Sequence, residues 1–198
     1  MAHSYSTKRF SSQNLNWRRE IVMSTFRKIN SNFSVSGQFD TSDILKARAD
    51  GFHTVLNNRP DHEPGVTISS TEAGLLAEKN GLNYLHDPME NHLIYQEDTI
   101  DRFIQSLIGK PGPVLAYCRT GTRCTILWAL AASRFQPSNK VFDYLMANGF
   151  EEFDILEDDM AEQSRANFSI ENTAADIPEV FKLETLTDLD VVDRSKAA

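Results

Sequence analysis

Strands and helices alternate along the chain between residues 32 and 133, and this alternation limits the fold more than any other feature. Four runs rich in apolar or β-branched residues have the pattern of strands: "NFSVSG", "HTVLNN", "NYLH" and "GPVLAYC". A helical pattern follows each of them in turn: "DTSDILKARADGF", "SSTEAGLLAEKNGL", "YQEDTIDRFIQSLIG" and "TILWALAASRF". The first helix is predicted to begin at an N-cap of Thr41 or Ser42, and one or two more helices are predicted after Pro137. The alternation predicts an α/β fold with a central, mostly parallel sheet flanked by helices.

The loop "CRTGTR", residues 118–123, leaves the carboxyl end of the most apolar predicted strand, where parallel sheets place ligand sites. Gly121 lets the backbone approach a ligand closely, and the amides that begin the next helix lack carbonyl partners. Such a nest binds an anion, and Arg123 adds a fork of donors. The positive potential should lower the pKa of Cys118 and make it a nucleophile. The alternative is a buried cysteine that merely ends a core strand. The predicted site is catalytic Cys118 and Arg123, with Arg119, Thr120, Gly121 and Thr122 binding substrate.

Residues 27–162 resemble the phosphatase-like domain of the beta-lactamase-hydrolase-like protein family. The likeness is carried by "SVSGQ" (34–38), "ADGF" (49–52), "NNRPDHE" (57–63), "GLNYLH" (81–86), "GPVLAYCRTGTR" (112–123) and "ANGF" (147–150). The resemblance implies a fold similar to dual-specificity protein phosphatases and cysteine-dependent phosphoryl or sulfur transfer. The residues themselves predict no metal or other cofactor, because the histidines are scattered and no nucleotide-binding motif occurs. The resemblance also implies an aspartate acting as general acid about thirty residues before the cysteine. Asp87 occupies that place, and Glu90 is the nearby alternative. The remaining alternative is that this segment is only a polar turn without a catalytic role.

The loop departs from that of tyrosine phosphatases in three ways. Tyr117 stands where those enzymes have histidine, four residues instead of five separate the cysteine from the arginine, and Cys124 replaces the following serine or threonine. The shortened loop resembles that of rhodanese-type sulfurtransferases. Three functions therefore remain open: a phosphatase-like hydrolase, a sulfurtransferase that carries a persulfide on Cys118, and an anion-binding module with weak or no catalysis.

Two further residues have more than one predicted role. Arg59 is expected to pair with Asp61 or Glu63 and brace the site, or to contact the substrate anion. Cys124 is expected to begin the core side of its helix, to resolve an oxidised Cys118 as a disulfide, or to accept sulfur.

Composition excludes several other classes of function. The net charge of −8 argues against nucleic-acid or anionic-membrane partners, and no apolar run reaches the length of a membrane helix. Two cysteines do not form a disulfide framework, so we expect a reducing, cytoplasmic location.

The expected partner is a phosphorylated or other anionic substrate, and the oligomeric state is not predicted. Charge divides the chain into a basic extension (1–26), the domain (27–165) and an acidic tail (166–198).

Overall fold

The structure, a computed structural model, describes residues 26–150 and 177–184. A five-stranded sheet with the order β1-β2-β5-β3-β4 forms its centre. Its strands are β1 (Arg27–Asn30), β2 (Phe33–Ser36), β3 (Thr54–Asn57), β4 (Asn83–His86) and β5 (Val114–Tyr117). The neighbours β2, β5, β3 and β4 are parallel, whereas β1 pairs antiparallel with β2 at the edge. The predicted α/β class with a mostly parallel sheet is confirmed.

Five α-helices of the described residues cover the two faces of this sheet. They are α1 (Thr41–Ala49), α2 (Ser70–Lys79), α3 (Glu97–Leu107), α4 (Thr122–Ala132) and α5 (Ser138–Ala147). Short 3₁₀ turns occur at Asn91–Leu93 and Glu179–Phe181. None of the helices in the described ranges is long and apolar enough to span a bilayer.

Strand β5 shows how the sheet divides the core between its faces. Leu115 and Tyr117 point into the smaller core with residues of α1 and α2, while Val114 and Ala116 point into the larger core with α3, α4 and α5. Side chains alternate in this way because successive residues of a strand face opposite sides of the sheet. All four are buried, as the continuous apolar run of a central parallel strand requires.

Helices α1 and α2 begin at side chains that cap their first-turn amides. Ser69 caps α2 in a reciprocal capping box with Glu72. The expected cap of α1 at Thr41 or Ser42 is wrong by one position or more, because Asp40 is the N-cap and forms the box with Asp43. Asp40 satisfies two amides of the first turn that neither hydroxyl satisfies.

Strand β1 was not predicted, because its four residues "RKIN" carry too little alternation to be recognised alone. Three of them end the run "NWRREIVMSTFRKI", whose pattern predicts a short amphipathic helix or a docking arm, and the helix is wrong for these three residues. Asn30 of β1 donates to the carbonyl groups of Val180 and Lys182, and Trp128 Nε1 donates to Val180 at 2.6 Å. Phe181, completely buried, packs between Phe103 and Phe135. The segment 177–184 therefore docks on β1, α3 and α4. Residues 1–25, the helical pattern predicted beyond residue 150 and the rest of the acidic tail lie outside the described residues.

Candidate active site at the Cys118 loop

The carboxyl end of β5 turns into α4 through the four residues 118–121. Gly121 takes a left-handed conformation (φ 94°), and a Cβ there would stand 3.3 Å from the Ser36 carbonyl oxygen at the end of β2. The backbone amide of Gln38, two residues after the end of β2, donates to Arg119 O at 3.2 Å. The loop thus packs against the carboxyl end of β2. Glycine at position 121 allows both the left-handed turn and the close approach of the loop backbone to β2.

The Cys118 sulfur lies inside this turn and is 1% exposed. The Gly121 amide donates to Cys118 Sγ at 3.2 Å. The Cys124 thiol hydrogen bond is the strongest influence that lowers the pKa of Cys118, and amides of the loop and of Cys124 add to it. These donors outweigh burial, which acts in the opposite direction, and bring the pKa of Cys118 to about 5. A pKa of about 5 favours the thiolate form of Cys118 at neutral pH.

Cys124 has one proton and two acceptors within reach. Its sulfur lies 3.4 Å from Asn58 Oδ1, and its thiol also hydrogen-bonds to Cys118. The bond to Cys118 is the stronger of the two when that sulfur is ionised, because a charged acceptor binds a donor more tightly than a neutral amide oxygen. Complete burial and the adjacent thiolate raise the pKa of Cys124 well above its usual value. The two sulfurs thus form an ionised and a protonated pair.

A cavity of about 550 Å³ opens above the loop. Five of the six predicted loop residues line it: Cys118, Arg119, Thr120, Thr122 and Arg123. The remainder of the lining, which the sequence did not single out, is Asn91, Ile94, Tyr95 and Ile126. Arg119 and Thr120 are exposed at its mouth, so five of the predicted loop residues surround one cavity.

Arg123 lies in the first turn of α4 and is 5% exposed. Its Nε donates to Asn91 Oδ1 (3.0 Å), Nη1 to Asn58 O (2.9 Å) and Nη2 to Glu63 Oε1 (2.6 Å). Three of the five guanidinium N–H groups are thus committed to groups in the described part of the protein, and two can serve a ligand.

Arg59 is held as a brace below the site. Its Nε donates to Glu63 Oε2 (3.1 Å), its Nη2 to Pro64 O (2.6 Å) and its Nη1 to Gln38 Oε1. It is 3% exposed and does not line the cavity. Glu63, and not Asp61, is its partner, and Asp61 instead caps the Ser70 amide at the start of α2. Of the two predicted roles, these contacts favour bracing.

The structure does not bring either candidate general acid to the cavity lining. Arg102 Nε of α3 donates to Asp87 Oδ1 at 2.8 Å, and Asp87 Oδ2 is buried without a hydrogen-bond partner among the described residues. Glu90 lies 3.1 Å from His62 Nε2. The general-acid role of Asp87 therefore stays a prediction.

Asn58, which the sequence analysis passed over, connects several parts of the site. Its backbone amide donates to Tyr117 O, and its side-chain Nδ2 donates to Asp87 O. Its backbone carbonyl oxygen accepts from Arg123, and its Oδ1 accepts from Cys124. The available signal was an asparagine pair at the end of a buried strand, since buried amides need several partners. Glu63, which joins Arg59 to Arg123, was named only as a partner of Arg59. Within the described ranges, no cluster of three or more histidine, cysteine or acidic residues is placed to hold a metal ion.

Comparison with known proteins decides the family. The family model of the beta-lactamase hydrolase-like protein, phosphatase-like domain, matches residues 25–134. The chain belongs to this family. A beta-lactamase hydrolase-like protein of Agrobacterium fabrum is 32% identical over 131 residues, which cover 63% of this chain and 29% of that protein. The chain thus spans less than a third of the length of the curated relatives it matches.

Two solved structures show the same fold. A phosphatase-like protein of Neisseria meningitidis superposes with a TM-score of 0.59 and 27% identity, covering 70% of this chain and 97% of that one. Tk-PTP in its active form superposes with a TM-score of 0.51 and 19% identity, covering 71% and 96%. The resemblance and the dual-specificity-phosphatase-like fold expected from it are confirmed, and the domain is phosphatase-like.

Proposed function

We propose that the domain is a cysteine-dependent, phosphatase-like hydrolase that acts on a phosphorylated or similar anionic substrate with Cys118 as nucleophile. One observation carries this proposal: a thiolate with a pKa of about 5 lies at the base of a cavity lined by Arg119 and Arg123. A resting anion in a nearly buried site requires donors aimed at it. The same donors suit an anionic substrate that approaches the sulfur.

The reaction proceeds in two displacements. The Cys118 thiolate attacks phosphorus in line, the bond to the leaving oxygen breaks, and a cysteinyl phosphate forms. The loop amides and the two uncommitted N–H groups of Arg123 bind the equatorial oxygens, with Arg119 at the mouth. Water then attacks phosphorus and the thiolate leaves. The Cys124 thiol assists this second step, because its hydrogen bond stabilises the departing sulfur anion.

Asp87 is the proposed general acid for the leaving oxygen. Its carboxylate is paired with Arg102 and does not line the cavity, so it can act only after this ion pair breaks and the side chain moves. The test compares Asp87→Asn with Arg102→Gln on an alkyl and an aryl phosphate. A general acid predicts that Asp87→Asn lowers alkyl phosphate turnover by about 10² to 10⁴ while Arg102→Gln does not. Equal losses in both variants would assign Asp87 a structural role.

The decisive test of the hydrolase is p-nitrophenyl phosphate turnover by the wild type and by Cys118→Ser. We expect nitrophenol release that disappears in the variant, together with a phosphate adduct on Cys118 in rapidly quenched wild-type protein. Undiminished turnover by Cys118→Ser would refute the mechanism. Tight binding of phosphate without turnover would identify an anion-binding module.

Sulfur transfer is the second candidate, favoured by the engagement of Arg123. Its three contacts with Asn91, Asn58 and Glu63 leave fewer donors for the three equatorial oxygens of a phosphoryl group. The single outer sulfur of a persulfide needs fewer hydrogen-bond donors than a phosphoryl group. Incubation with thiosulfate followed by intact-protein mass spectrometry distinguishes the candidates: a gain of one sulfur on Cys118 without nitrophenol release would favour sulfur transfer.

A further inference from the structure

Two tyrosine hydroxyl groups meet at the carboxyl end of the sheet, on the side of the smaller core. Tyr84 Oη of β4 lies 3.2 Å from Tyr117 Oη of β5, and Asn57 Nδ2, at the end of β3, donates to Tyr84 Oη at 3.0 Å. Neither tyrosine lines the cavity. We propose that Tyr84 is a positioning residue for the anion site: through Asn57 it sets the turn that holds Arg123. The inference rests on the anion site that the proposed function also uses.

Packing fixes the rings of both tyrosines. A Cβ on Gly74 of α2 would stand 3.1 Å from Tyr84 Cδ1, so the helix backbone lies directly against that ring. The Tyr117 ring stacks on the Phe39 ring, with 4.1 Å between the centroids and 5° between the planes. Burial raises the pKa of both hydroxyl groups, so each keeps its proton at neutral pH. The pair of hydroxyl groups is therefore a neutral, fixed partner for Asn57.

Asn57 links the tyrosines to the turn that follows β3. Asn57 is 2% exposed, so its amide group needs hydrogen-bond partners within the protein. Its Nδ2 donates to Tyr84, and its Oδ1 accepts from the Arg59 backbone amide at 2.8 Å. An asparagine side chain that binds the amide two residues further on is a typical way to stabilise a turn. The bond to Tyr84 thus directs the oxygen end of the Asn57 side chain toward the turn.

The turn carries the groups that hold Arg123. Asn58 lies at its centre, and the Asn58 carbonyl oxygen accepts from Arg123 Nη1 at 2.9 Å. Arg59 comes next, and the Glu63 carboxylate joins Arg59 to Arg123. A rotated Asn57 side chain would release the Arg59 amide, and two acceptors of the Arg123 guanidinium would then shift.

Loss of the Tyr84 hydroxyl should therefore weaken anion binding and leave the nucleophile unchanged. The Tyr84 hydroxyl contacts Asn57 and Tyr117, and neither of these two hydrogen bonds reaches the Cys118 sulfur. The effect passes through the turn to Arg123, whose N–H groups bind the anion.

The test measures how strongly inorganic phosphate protects Cys118 from iodoacetamide in the full-length protein. Intact-protein mass spectrometry counts the adduct, and completely buried Cys124 should stay unmodified. Tyr84→Phe should raise the phosphate concentration for half protection by roughly three- to tenfold, the equivalent of one neutral hydrogen bond. The alkylation rate without phosphate should change by less than about twofold, because the thiol keeps its own donors.

Tyr144→Phe is the matched control. Tyr144 is 8% exposed and donates to Ile29 O at 2.6 Å within the larger core, so this variant loses a buried hydrogen bond without affecting the turn. It should lower stability in urea unfolding and leave the half-protecting phosphate concentration unchanged. Asn57→Ser provides the second comparison, because serine can still accept from the Arg59 amide but is too short to reach Tyr84. In that background, Tyr84→Phe should add less than about twofold.

Three results would each overturn the inference: an unchanged phosphate concentration in Tyr84→Phe, an equal rise in Tyr144→Phe, or the full effect of Tyr84→Phe in the Asn57→Ser background. Wild-type protein that phosphate does not protect would overturn it as well. The readout needs no phosphate ester. A protein that shows the expected differences in protection but hydrolyses nothing therefore loses the proposed function and keeps this inference. A protein that hydrolyses p-nitrophenyl phosphate through Cys118, with equal protection in the wild type and Tyr84→Phe, keeps the function and loses the inference.

Discussion

Replacing Glu63 with glutamine tests how much the ion pairs of Glu63 with Arg59 and Arg123 stabilise the protein. The Glu63 carboxylate accepts from Arg59 Nε at 3.1 Å and from Arg123 Nη2 at 2.6 Å. The side chains of the two arginines are 3% and 5% exposed and that of Glu63 is 16% exposed, so water replaces little of what is lost. The substitution keeps the volume but removes the charge and directs an amide N–H₂ group toward a guanidinium donor.

The expected loss of unfolding free energy is about 3 kcal/mol. Removing one partner of a buried ion pair typically costs about 3 to 5 kcal/mol. The lower end applies because glutamine retains one acceptor, and because both arginines keep other acceptors at Pro64, Asn58 and Asn91. With a urea dependence of about 2 kcal/mol per molar, the unfolding midpoint should fall by about 1.5 M.

The assay is urea unfolding followed by circular dichroism, with Glu78→Gln on the exposed face of α2 as the matched control. The control should change the unfolding free energy by less than about 0.5 kcal/mol. A loss below about 1 kcal/mol for Glu63→Gln, with an unchanged slope, would refute the reasoning. The bridge would then behave like an exposed ion pair that solvent screens.

Three other changes probe the thiolate, the turn and the docked segment. Cys124→Ala removes the main donor to Cys118 and should therefore raise the pKa of Cys118. The pH midpoint of Cys118 alkylation by iodoacetamide, expected near 5 in the wild type, should rise by about one unit or more. An unchanged midpoint would assign the low pKa to the loop amides. Gly121→Ala should cost more than the roughly 1 kcal/mol expected of Gly51→Ala in urea unfolding, because both have positive φ but only Gly121 meets backbone; equal losses would contradict this. Phe181→Ala should cost about 3 to 5 kcal/mol in the same assay, and a loss below about 1 kcal/mol would show that its segment is not docked in solution.

Local sequence patterns were sufficient for most of the fold. The apolar run 114–117 and the glycine loop after it predicted a central strand, a turn and a helix, and β5 and α4 occupy those places. The periodicity of apolar residues likewise predicted α3, whose buried face includes Ile100 and Phe103. These features are encoded within about ten residues, because helix and strand patterns and turn chemistry are local properties. Strand β1 was missed because its pattern is too short to be seen without its partner β2.

The sequence by itself determined which loop forms the candidate site, since the cysteine, glycine and arginine must be close in sequence to form one anion nest. Only the tertiary structure decided what surrounds that loop. Arg123 contacts Asn58 and Glu63 across 65 and 60 residues of chain, and Cys124 contacts Asn58 across 66. The end of β3 reaches the loop because β3 and β5 are neighbours in the sheet. Strand order is a property of the whole packed core, and no local pattern near Asn58 or Glu63 specifies it.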